Sequence, residues 1–167
     1  YLSNTYRVGN WYEALNVPIT VGIKPETVLA DSLMSKAVVA EIQRDGTLKG
    51  RGGNWNNKFV STQVSVFGDY TIVLDTTPPV VVKDYVPADM NSYRGAVIQF
   101  IAKDNLSKIK SYSGKVDGKW MLFEFDRKTG MLQCDVSPFM ENKEHQVELT
   151  VTDERNNVTN YKIGFYF

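Results

Sequence analysis

The stretch HQVELTVTD sets Val147, Leu149 and Val151 against Gln146, Glu148 and Thr150. Strict alternation of this kind gives a strand one buried and one wet face, and it excludes a helix, whose apolar stripe recurs at i, i+3, i+4 and i+7. The pattern dominates the chain. AVIQFIAKD places Ala96, Ile98, Phe100 and Ala102 on one face, and TNYKIGFYF does the same with Tyr161, Ile163, Phe165 and Phe167. Residues 38–43, 59–66, 70–74, 80–83, 109–116, 120–125 and 131–136 are rich in β-branched and aromatic side chains and read as further strands. Only ADSLMSKA, residues 30–37, looks helical, and it is long enough for a turn or two. The expected class is all-β with antiparallel sheets.

Turn chemistry agrees with that reading. Asp45-Gly46 and Asp117-Gly118 each separate two apolar runs, as a two-residue hairpin turn does, because Asp-Gly tolerates positive φ. DRKTG, ending in Gly130, suits a longer turn, and DERNN, residues 153–157, has the polar make-up of a turn between antiparallel strands.

In the middle of the chain lies DTTPPVV, residues 75–81. Proline donates no ladder hydrogen bond and pushes its predecessor away from the helical region, so Pro78-Pro79 ends the strand YTIVLD and holds an extended connection. About seven strands follow it at the spacing of a β-sandwich, and five or six precede it. Two consecutive sandwich domains are therefore expected: residues 1–75, either small or lacking its first strand, and residues 76–167, immunoglobulin-like, joined stiffly.

Nineteen basic residues balance nineteen acidic ones, so no global field gathers nucleic acid or anionic lipid. No apolar run approaches the ~18 residues of a membrane-spanning helix. The chain opens on Tyr1 without an apolar leader and reads as part of a longer protein whose targeting signal lies elsewhere.

DTTPPVV, DNLSKIKSYSGKVDGKW and LTVTDERNNVTNY together resemble the immunoglobulin-like modules of bacterial exported and cell-surface proteins. With KAVVAEIQRDGTLKGRGGNW and VSVFGDYTIVLDTTPP added, nearly the whole chain is similar to the β-rich C-terminal region of lysostaphin-type zinc endopeptidases, which are peptidoglycan hydrolases. The resemblance implies an exported location (periplasmic, cell-surface or secreted), an upstream domain as partner, and peptidoglycan or another glycan as binding target. Such peptidases hold zinc through H-x-x-x-D and H-x-H. This chain has one histidine, His145, so that site lies outside it.

The expected role is accordingly a noncatalytic structural or binding region, the accessory part of a cell-wall peptidase; the alternative is a carbohydrate-binding or adhesin module. His145 reads as a neutral surface or edge residue, and Cys134, on one strand face with Leu132 and Val136, as a buried structural thiol. No cofactor is required. Immunoglobulin-like topology would bring Asp75, Asp104, Asn105 and Asp153, with Asn156 or Asn157, to one pole of the second sandwich. Those oxygens either ligate calcium or cap their own turns as Asx motifs. Trp55, beside a Gly- and Asn-rich turn, and Trp120 with Phe123 and Phe125 either stack on sugar rings or pack inward.

Overall fold

The computed structural model describes residues 1–87, 96–139, 141 and 143–166; Phe167, assigned above to a strand face, lies outside them. The fold is all-β, with 54% of the described residues in strands and 4% in helix, arranged as four antiparallel sheets. Contacts divide the chain into two compact units: Tyr1–Thr77 together with Asn105–Ser107, and Pro78–Asp104 together with Lys108–Phe167.

The first unit contains β1 (Tyr6–Val8), β2 (Ile19–Ile23), β3 (Ala37–Ile42), β4 (Leu48–Gly50), β5 (Asn54–Asn56), β6 (Phe59–Val64) and β7 (Gly68–Leu74), with one helical turn, α1 (Asp31–Met34). One sheet runs β1-β7-β3-β4 and the other β2-β6-β5. Between them Val21, Ile23, Val39, Val60, Val64, Tyr70 and Ile72 form the core. β3 is buried on both faces: Val38 and Ala40 turn away from that core and pack with Val73, Leu48 and Leu106. Continuous burial explains why AVVA lacks the alternation seen elsewhere.

One local expectation changes here, and one turn is added to those read from the sequence. The Asp45-Gly46 hairpin has a three-residue loop, because Gln43 N–H donates to Thr47 O at 2.8 Å and only Gly46 takes a positive φ, of 83°. A true two-residue turn occurs at Asn57-Lys58, with φ of 46° and 73°, and it creates β5.

The second unit contains β8 (Val80–Tyr85), β9 (Val97–Lys103), β10 (Ile109–Val116), β11 (Lys119–Met121), β12 (Glu124–Asp126), β13 (Met131–Asp135), β14 (Glu144–Asp153) and β15 (Val158–Tyr166). Its sheets are ordered β12-β13-β9-β8 and β11-β10-β14-β15. That is the immunoglobulin arrangement ABED against CFG, with one added strand beside C. Phe100, Leu132, Val147, Leu149 and Val151 fill the interior. The Asp117-Gly118 turn, with φ of 49° and 76°, is the two-residue type expected.

Residues 120–125 read from sequence as one strand, but the chain changes sheets there: β11 pairs with β10, while β12 pairs with β13. Phe123, buried between them, is the pivot. It occupies the space over Gly114, where an added Cβ would lie 2.0 Å from the ring.

Candidate functional site

The β14–β15 turn is built around Asp153, which is fully buried. Its Oδ1 accepts the backbone N–H groups of Arg155 at 2.7 Å and Asn157 at 2.8 Å, and its Oδ2 accepts the Asn157 side-chain amide at 2.7 Å. Asn156 adopts φ of 59° and accepts a hydrogen bond from Lys110 Nζ at 2.7 Å. This is an Asx turn in which the carboxylate takes the place of missing ladder bonds.

Asp104, half-buried just after β9, has a carboxylate oxygen within 4.8 Å of one from Asp153. These two predicted residues therefore meet within the second unit. Asp75 and Asn105 belong to the first unit. There Asp75 is fully buried at the end of β7, and its N–H donates to Lys36 O at 2.9 Å; Asn105 is exposed. Of the second unit's two carboxylates, that of Asp153 accepts three hydrogen bonds within its own turn.

Trp55 lies on β5, half-buried against the first core, and its indole N–H donates to Met34 O at 2.6 Å. Its one polar atom thus ties the β5–β6 hairpin to α1. Phe123 is buried and Phe125 packs beside it, with its ring 5.4 Å from Tyr112. Trp120, 66% exposed and opposite Lys115 on β10, is the aromatic of that group that faces outward.

His145 differs from expectation. It is 2% exposed, with Nδ1 2.7 Å from Asp117 Oδ2 and its ring between Phe139 and Phe165 at 5.6 and 5.2 Å. The reason is parity, since odd positions of β14 point inward. Burial pushes the Asp117 carboxyl upward, but hydrogen bonds from His145 and the Gln146 N–H outweigh it and hold the pKa below the ordinary value. Cys134 is buried, and that burial pushes its thiol up to about 11, far from a reactive thiolate.

A concave site on the first unit was not anticipated from the sequence. In VGNWYE, Glu13 N–H donates to Asn10 O at 3.0 Å and Tyr12 N–H to Asn10 Oδ1 at 3.3 Å, closing a β-turn with Trp11 and Tyr12 at its centre. Turn centres usually hold small or polar residues; here two aromatics are displayed. Gly9, at φ of 65°, admits Phe67, whose ring would lie 2.2 Å from any added Cβ, and this contact seats the turn. The guanidiniums of Arg7 and Arg44 lie 5.3 and 5.6 Å from the Trp11 ring centre, within cation–π range.

Arg7 is forked onto Asp69, Nε to Oδ1 at 2.8 Å and Nη2 to Oδ2 at 2.9 Å, which raises its own pKa and lowers that of Asp69. Among the described residues no carboxylate pairs with Arg44. Arg7, Gly9, Asn10, Trp11, Tyr12 and Arg44 line an open cleft of about 690 Å³. The only signal in the sequence was a Trp-Tyr pair inside Gly-Asn turn chemistry.

Residues 1–75 match the family model of the Zu5-like domain. The match covers the part of the chain that carries the Trp11 cleft and Trp55. No curated protein matches the chain. No helix among the described residues is long and apolar enough to cross a membrane.

Proposed function

We propose that this chain is the noncatalytic structural and binding region of an exported bacterial protein, an accessory part that holds a cell-wall peptidase on its substrate. The observation that carries the reading is what the chain does with its reactive side chains. His145, the single histidine, is enclosed by two aromatic rings, and Cys134 is a buried, protonated thiol. Both serve packing. Trp11, Tyr12, Arg7 and Arg44 gather instead around a turn tip, where they can hold a partner.

Two compact β-units suit a mechanical role: sandwiches fix distances, and loops at their ends make contacts. The resemblance of DTTPPVV and LTVTDERNNVTNY to exported modules supplies the setting. The rival reading, a carbohydrate-binding or adhesin module, is favoured by the same Trp11 cleft. The gene encoding the chain separates them. H-x-x-x-D and H-x-H upstream of Tyr1 support the peptidase reading, whereas a run of further β-modules supports the adhesin.

A further inference from the structure

We propose that the Trp11 cleft of the first unit is a binding site for an acidic sugar, a saccharide unit bearing a free carboxylate. The proposal rests on the binding role inferred above and names the site and the ligand chemistry. Its lining is rich in donors. Arg44 offers a guanidinium fork, Arg7 the nitrogen left over from its pair with Asp69, Asn10 its side-chain N–H groups, and Tyr12 a hydroxyl. Asp69 is held by Arg7, and Glu41, which lines the adjoining hollow with Trp11 and Arg44, is paired with Arg51. The nearby Asp45 is turned to its own loop, accepting Thr47 N–H at 2.9 Å and Thr47 Oγ1 at 2.7 Å.

Such a surface wants an acceptor-rich, negatively charged ligand. Planar guanidinium matches carboxylate in a bidentate pair, and stacking on Trp11 holds the Arg44 fork in place before the ligand arrives. Tyr12, 89% exposed, adds a flat apolar face beside those donors. A face to stack on and a fork for a carboxylate are what an acidic pyranose presents to a protein. A simple anion would use the fork and leave Tyr12 idle. The cleft volume, about 690 Å³, accommodates one or two sugar rings.

The test is isothermal titration of the full chain with three disaccharides: N-acetylglucosaminyl-N-acetylmuramic acid, digalacturonate and di-N-acetylchitobiose. The first two carry carboxylates from different sources, and the third is neutral. Binding of either acidic probe at least tenfold tighter than the neutral one is expected, weakening with salt as a charge contact does. Arg44→Gln and Tyr12→Ala, both at exposed positions, should each reduce it about tenfold while leaving the unfolding midpoint unchanged. Which acidic probe binds identifies the source of the sugar. Equal affinity for the neutral probe, no binding of either acidic one, or full binding by both variants would overturn the proposal. Sedimenting the same preparations with whole peptidoglycan distinguishes the two levels: wild-type and variant chains pelleting alike defeats the cleft and leaves the binding role standing, and a wild-type chain that stays in solution defeats the binding role.

Discussion

Asp153 shows how one side chain sets a turn. Its two oxygens accept three hydrogen bonds inside the protein, so removing them strands buried donors, at about 1–3 kcal/mol in total. Asp153→Ala should lower unfolding free energy in urea by that amount; a loss under about 0.5 kcal/mol, the range of ordinary surface changes, would mean the turn holds without it. Because those bonds account for the carboxylate, thermal unfolding in chelator and in millimolar calcium should coincide. A higher midpoint in calcium would make Asp104 and Asp153 ligands. Asp117 contributes on the acid side. Its folded pKa lies below the ordinary 3.8, so its contribution is complete above that value and disappears as pH falls through the depressed one. Asp117→Asn, which keeps a residue tolerant of positive φ and removes the charge facing His145 and Lys143, should lessen the loss of stability as pH falls below the ordinary carboxylate value. An unchanged acid profile in urea melts would place the titrating group elsewhere.

At the level of elements, alternation made most strands legible, because one wet and one buried face leave a period of two in the sequence. It was legible for β14 even at His145, whose inward parity was there to be read beside Val147 and Leu149. The sheet switch at Phe123 was not legible. MLFEF is continuously strand-like, and only the space over Gly114 tells the chain where to cross. Gly114→Ala should therefore destabilise by roughly 1–3 kcal/mol, the cost of overpacking a buried ring. Adding Phe123→Leu should recover part of that loss, since neighbours in contact do not add. Strict additivity in the double variant would show that the two positions are independent. The Trp11 turn escaped notice for a different reason: a single displayed turn has no period, and its aromatic pair carries meaning only once Arg7 and Arg44 arrive from two separate strands and loops.

For the whole molecule, the proline pair at 78–79 and the strands counted on either side of it pointed to two β-rich parts, and the contacts divide the chain into two compact units. What composition could not announce was the membership of Asn105–Ser107, three residues from the second half of the chain that group with the first unit. Leu106 has no local pattern to mark it, and its partners Val38, Ala40 and Val73 lie more than thirty residues away in sequence. We propose binding without catalysis, with the displayed residues of the first unit making the contact. Incubating the purified chain with insoluble peptidoglycan, and following both sedimentation and turbidity, tests that proposal. The chain should pellet with the polymer in a saturable way while turbidity stays constant. A chain that remains in the supernatant, or one that clears the suspension, would contradict it.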